Sequence, residues 1–249
     1  MTPSVRLLGR PRGLPNLRGA FLPMSDSVSP SSSRGPKLLA GERIPERPFT
    51  DPEHSVQDLE HLTYMLHQVR EAVETGVLFD QLEETGSKGH VIRVYDANTL
   101  RQSKAFHFVG FRGFKREQPD LSLIEQVQGA DKRLSGELSG HTVLAYSSLE
   151  LENNNWINLV LLRFGDDKTR FHGNPTHQYA ARELAPQFYR HIRLHSGSLN
   201  GLYGEVRLER TQYHDFGEDD PWFALRVYDS AVSRPIHDVA EPSVLIERA

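Results

Sequence analysis

The chain has 249 residues, 37% hydrophobic and 25% charged, with a formal net charge of −4 and no cysteine. That length suffices for a substantial core, and the missing cysteine excludes disulfides, thiol nucleophiles and thiolate metal sites. The charge leaves no electrostatic footprint for nucleic acid, and the longest apolar run, "INLVLLRF", is far too short to span a bilayer, so neither nucleic acid nor membrane is an expected partner.

Residues 1–53 hold nine of the fifteen prolines, seven serines and five glycines, a composition that cannot offset its ordering entropy by burial; a disordered N-terminal arm is expected. The first 23 residues carry four arginines and no acid, which touches the transit-peptide pattern, but Pro3, Pro11 and Pro15 break the helix such a peptide needs. They read as part of the arm, or as an overlong start ahead of Met24. Residues 54–249, with 21 basic and 28 acidic side chains, are expected to form a single α+β domain. Cysteine-free composition fits a reducing compartment, and a cytoplasmic location is expected.

The domain opens on "SVQDLEHLTYMLHQVREAVETGVLFDQLEETG", where Val56, Leu59, Leu62, Leu66, Val69 and Val73 recur at helical spacing behind Ser55 as N-cap. "HVIRVYDA" reads as a strand. "KAFHFVGFRGF" alternates as a strand with a closely packed backbone point at Gly110. "DLSLIEQVQGADKRL" is a helix capped by Asp120, and "HTVLAYSSLEL" and "NWINLVLLRF" are strands joined by the Asn-rich "ENNN". A short helix, "NPTHQYAARELAP", then leads to strands "YRHIRLH" and "GEVRLERTQYHDF" around "SGSLNG", and "WFALRVYD" closes the series. Strand, helix, strand, strand, helix, strand is the ferredoxin-like βαββαβ order, here with an added N-terminal helix and edge strands. Helices on one sheet face and a homodimer that covers exposed edges are expected.

Four of the twelve histidines crowd "HGNPTHQYAARELAPQFYRHIRLHSG": His172, His177, His191 and His195. On a helix His191 and His195 would lie about 6 Å apart along the axis, within reach of one ion; on a strand they stand roughly 13 Å apart and share none. The alternation of Ile192 and Leu194 against His191, Arg193 and His195 favours the strand, so no metal site is expected. The strand instead makes a polar row of Tyr189, His191, Arg193 and His195, read either as a solvated face or, if covered, as a place where Arg193 holds a carboxylate or enolate while a histidine moves a proton. His177 sits at a helix start, where the dipole favours a neutral imidazole; Thr176 or Asn174 is the cap. Trp156 and Asn158 alternate on one strand face and could line a pocket.

The run from "NWINLVLLRF" through "HGNPTHQYAARELAPQFY" resembles the antibiotic-biosynthesis-monooxygenase-like dimeric α+β barrels, over residues 156–189 in sequence and 104–214 in element order. The resemblance implies a sheet that pairs with a second subunit and a pocket between sheet and helices. That family includes cofactor-free oxygenases, haem-degrading enzymes, isomerases and members without known activity. Its haem-degrading members use an Asn on the first strand and a Trp and His around the second helix; "KAFHFVGF" has no Asn and Phe171 stands in place of Trp, leaving His177 or His172, and no cofactor is expected.

Two functions stand from the sequence. In the first, a small organic molecule is bound by Trp156, Asn158, His172, Tyr189 and His195, and His177, His107 or Arg193 assists a monooxygenase-like or isomerase-like step. In the second, the chain is a non-catalytic dimeric binding or structural module; a haem or metal protein ranks third. RNA-recognition modules share the element order, but their aromatic-basic motif belongs on the strand "WINLVLLRF", which lacks it.

Overall fold

In a computed structural model, which describes residues 35–76, 89–137, 143–151, 155–165, 173–217 and 221–234, the first long element is helix α1, Pro52–Thr75. Asp51 caps it, accepting a hydrogen bond from the Glu53 amide, and Pro52 supplies a preset first-turn backbone angle. Gly76, at φ 70°, ends it in the left-handed conformation that other residues resist. The expected cap, Ser55, lies within the helix and is buried, its hydroxyl 3.4 Å from Tyr213 OH. The buried stripe therefore runs through Ser55, Asp58, Leu59, Leu62, Met65, Leu66, Val69, Ala72 and Val73, while Val56 faces outward.

Strand β1 is Lys37–Leu38, β2 is His90–Val94, β3 is Phe106–Lys115 and β4 is Val143–Glu150. Strand β5 is Trp156–Leu162, β6 is Tyr189–Leu199, β7 is Val206–Asp215 and β8 is Trp222–Arg234. Between them lie α2, Ala97–Gln102, α3, Leu121–Glu137, and α4, built from an α-helical turn Pro175–Tyr179, a π turn Ala180–Leu184 and a last turn Ala185–Phe188. The expected "ENNN" turn lies partly outside the described residues. Residues Ser196–Leu199 of "SGSLNG" continue β6, so the reversal comes later, where Gly201 takes φ 75°.

The strands form one eight-stranded sheet in the order β1-β8-β7-β6-β3-β5-β4-β2; β1 runs parallel to β8 and every other neighbouring pair is antiparallel. Two helix connections cross the sheet centre, α3 from β3 to β4 and α4 from β5 to β6, each joining parallel strands that have one strand between them.

Helices cover both faces, not one as expected. On the first face, α1 and Leu100 of α2 pack on Phe106, Phe108, Ile157, Leu159 and Leu161. On the second, Ile124, Val127, Ala130 and Leu134 of α3 and Ala180, Ala181, Leu184 and Ala185 of α4 pack on Val109, Phe111, Val160, Ile192 and Leu194. Gly110 is the close point anticipated from sequence: a Cβ there would sit 2.6 Å from a Leu62 methyl, so its hydrogen lets α1 descend onto the sheet.

Residues 35–53 follow a defined path anchored by buried Leu38, Phe49 and Thr50, so the expected arm boundary at 53 lies too late in the chain. This strap pairs Lys37–Leu38 with β8 and makes a 3-10 turn, Pro48–Thr50, ahead of α1. Its backbone carbonyls converge on buried Arg226, which donates to Leu39 O (3.1 Å), Ala40 O (2.6 Å), Glu42 O (2.8 Å) and Thr50 O (2.8 Å). One cation thereby satisfies four acceptors that no regular element serves. Arg226→Met is expected to destabilise the fold by about 2 kcal/mol and to raise amide exchange through residues 37–50 above that of α1. Exchange mass spectrometry reads it directly, and unchanged strap protection would refute the assignment.

Candidate functional site

Strand β6 decides where the expected site residues go. It is extended through His195, pairing with β3 on one side and β7 on the other, so His191 and His195 stand roughly 13 Å apart and share no ion. Among the described residues, no three His, Asp or Glu side chains gather as metal ligands.

The polar row is split. At the register shift beside Lys115, Tyr189 turns to the α3/α4 face, where its ring packs on Phe111 and Phe188. Arg193 and His195 face α1 instead, 1% and 0% exposed, which corrects the reading of a solvated row. Their counterpart is Asp58, in the buried stripe of α1. Arg193 grips its carboxylate with two donors, Nε to Oδ2 at 2.6 Å and Nη2 to Oδ1 at 3.0 Å, and its Nη1 donates to Phe49 O at 3.3 Å. His195 Nε2 lies 2.8 Å from Asp58 Oδ2, and its Nδ1 lies 2.9 Å from Thr211 Oγ1, which reaches Tyr228 OH at 3.2 Å. Arg112, opposite Arg193 on β3, brings its Nε to 3.8 Å from Asp58 Oδ1, and both guanidiniums lie over the Phe114 ring.

Burial alone would raise the Asp58 carboxyl, but the Arg193 charge and the His195 hydrogen bond outweigh it and hold the group well below the usual carboxylate range. Arg193 does hold a carboxylate, as its fork geometry suits, but that carboxylate belongs to α1. His191 stacks on Phe49 at 4.4 Å and meets Asp215 at 3.2 Å; burial pushes its pKa down while Asp215 pulls it back up.

The second sheet face carries a different polar set. By the strand alternation of β5, Trp156 and Asn158 point toward α3 and α4, with Ile157 and Leu159 on the α1 side. Ser148 is the cross-strand partner of Asn158, and Tyr146 OH donates to Asn158 Oδ1 at 3.4 Å. Gly113 stands opposite Trp156, and the Tyr189 ring fills the space a Cβ at Gly113 would take. Asp131 of α3 shares the inward stripe of Val127, Ala130 and Leu134 and is 7% exposed. Burial and then the Asp131 charge raise the pKa of Tyr146 and of Tyr189, so both phenols remain protonated donors at neutral pH. The indole N–H of Trp156 is buried, and no described residue accepts a hydrogen bond from it.

His177 lies on the inner side of α4, fully buried, with its amide held by the Asn174 cap at 2.9 Å. His107 shares the α3/α4 face, its ring beside Gly165 at the start of β3, four residues and so roughly 13 Å from Phe111. His172 lies outside the described residues. The structure thus gathers Trp156, Asn158 and Tyr189 on one face, where His177 and His107 also lie, and puts Arg193 and His195 on the other.

Comparison with family models, with curated proteins and with solved structures found no match. No described helix is long and apolar enough to cross a membrane.

Sequence reasoning missed Asp58, Tyr146 and Asp131. A signal was present for Tyr146 and Asp131, which carry a polar head at positions where strand or helical periodicity calls for an inward side chain; Asp58 gave none, because the inward phase of α1 rests on polar residues.

Proposed function

We propose that this chain binds a small organic molecule carrying a hydrogen-bond acceptor, held between the α3/α4 face of the sheet and α3. The carrying observation is the Trp156 indole N–H: a buried donor left without an acceptor is costly, and a ligand oxygen would relieve that cost. Asn158, Tyr146 and Tyr189 are polar groups on the same face, set among the apolar side chains of α3, α4 and the sheet, and are the groups that would orient such a ligand. The strand order β6-β3-β5-β4, with α3 and α4 on one face, supports reading the centre as a ferredoxin-like βαββαβ unit. The proposal draws further on the monooxygenase-like resemblance of residues 156–189, which implies a pocket between sheet and helices. A homodimer and a cytoplasmic setting belong to the same proposal.

The competing reading, a non-catalytic structural module, draws support from Arg193 and His195, both committed to Asp58. The two are separated by calorimetric titration with 2-tetralone, a bicyclic ketone with a single acceptor oxygen. Saturable binding is expected, weakened about tenfold by Trp156→Phe, which keeps an aromatic ring and deletes the donor. No heat with the wild-type protein, or equal affinity in the variant, refutes a site at Trp156.

A further inference from the structure

The Asp58 cluster does not end at His195. Hydrogen bonds lead outward from it in a chain: Asp58 Oδ2 to His195 Nε2 at 2.8 Å, His195 Nδ1 to Thr211 Oγ1 at 2.9 Å, and Thr211 Oγ1 to the Tyr228 hydroxyl at 3.2 Å. His195 and Thr211 are fully buried and Tyr228 only partly, so the phenol is the outer end of the chain. The inner end sets the direction of every proton. Asp58 is held ionised despite its burial by the Arg193 charge and the His195 hydrogen bond, so it only accepts. Nε2 therefore carries the hydrogen. In the neutral ring Nδ1 accepts from Thr211, whose oxygen accepts in turn from Tyr228.

The backbone explains how Tyr228 reaches this position. Strand β8 pairs with β7 at Val227↔Arg210 and resumes at Val232↔Leu208, so residues 228–231 stand opposite Glu209 alone. Glu209 is itself the extra residue of a β7 bulge against β6, between the pairs Ser196↔Arg210 and Gly197↔Leu208. Breaks of this kind re-aim side chains and recur beside active sites, and Tyr228 is the first residue past this one. Arg226, the cross-strand partner of Thr211, is a buried cation whose hydrogen bonds go to neutral oxygens of the strap and Tyr213. Its charge is left to favour an anion that forms near Thr211.

We propose that Tyr228 is the nucleophile of an acyl-transfer site, with Thr211 and His195 as positioning residues that carry its proton inward. The inference goes beyond the small-molecule site, which lies on the opposite face of the sheet, and neither depends on the other. As the phenol oxygen bonds to the acyl carbon, its proton passes to Thr211 Oγ1 and the Thr211 proton to His195 Nδ1, leaving an imidazolium against Asp58. The bond from the acyl carbon to the leaving group breaks. His195 then returns a proton to Thr211, which hands its own to the departing group, and the acyl ester stays on Tyr228. No oxidant, reductant or metal is consumed. Protonation of His195 beforehand reverses the chain, since Nδ1–H then donates to Thr211 and Thr211 to Tyr228. The charged and titratable groups set around the relay are Asp58 and His61 of α1, Arg112 of β3, Arg193 of β6, Tyr213 of β7 and Arg226 of β8.

The test is acetylation of the full chain by N-acetylimidazole at pH 7, followed tyrosine by tyrosine with peptide mass spectrometry. Tyr203 and Tyr179, 43% and 41% exposed, are more open than Tyr228, so accessibility alone ranks Tyr228 behind both. The relay predicts the reverse, with Tyr228 about tenfold faster than either. Thr211→Val keeps the shape and deletes the bridging hydroxyl; it is expected to slow Tyr228 about tenfold and leave Tyr179 and Tyr203 unchanged, while Thr211→Ser keeps the wild-type rate. Between pH 6 and 9 the Tyr228 rate should level off in the wild type once His195 is neutral, and climb throughout in Thr211→Val. If Thr211→Val does not fold, the order of the three rates and the levelling in the wild type decide. Tyr228 slower than Tyr179 and Tyr203, or a rate and pH profile that survive loss of the hydroxyl, overturns the proposal.

Discussion

Asp58→Ala is expected to cost about 3–5 kcal/mol, the largest single-residue effect in this fold, because it leaves the Arg193 guanidinium and the His195 ring buried without their shared carboxylate. The loss reflects stranded groups more than the net worth of the ion pair, so a companion variant separates the two. Replacing Asp58, Arg193 and His195 together by Leu, Met and Leu should recover most of the stability, since apolar groups of similar volume need no partners. Urea unfolding followed by circular dichroism measures both. A single-variant cost below about 1 kcal/mol would show that α1 does not depend on this cluster. The same carboxylate has an acid dependence: its folded pKa is depressed, so its contribution is complete above the unfolded value of about 3.9 and is lost as pH falls below it.

Stability should decline well before that point, and His90 sets the window. The ring is 4% exposed, its Nε2 2.9 Å from Ser147 Oγ, and burial pushes its pKa down from 6.5 to about 4. The folded protein therefore keeps His90 neutral while the unfolded chain takes up a proton between those values. Stability is full above about pH 6.5 and falls by about 3 kcal/mol by pH 4. His61 and His191, both lowered mainly by burial, add to the same slope. His90→Phe should flatten it, leaving the urea midpoint less sensitive between pH 7 and 4.5; equal slopes in the two proteins would refute the assignment.

Much of the architecture was legible because alternation and helical spacing report burial directly. Ile192 and Leu194 announced an extended β6, and Gly110 announced a close backbone approach. The phase of α1 was not legible, because the cap is Asp51 and the inward stripe includes Ser55 and Asp58, polar residues that a hydrophobic template assigns to solvent. For the same reason the row containing Arg193 read as solvated: only tertiary structure reveals that one buried ion answers another. The strap from residue 35 to 51 was hidden by its proline-rich composition, since its order comes from Arg226, some 180 residues onward, rather than from local propensity. Tyr189 was placed on the wrong face by a register shift that no periodic pattern announces. Trp156 and Asn158 were found as a pair because they alternate on one strand, whereas Asp131 was overlooked as an ordinary helix acid.

With α1 seated over Gly110 and anchored by Asp58, the flat side of the sheet that a neighbouring subunit could otherwise have blanketed is roofed by the chain's own helix. A second copy is therefore left the rims of the sheet and the outer surfaces of its helices.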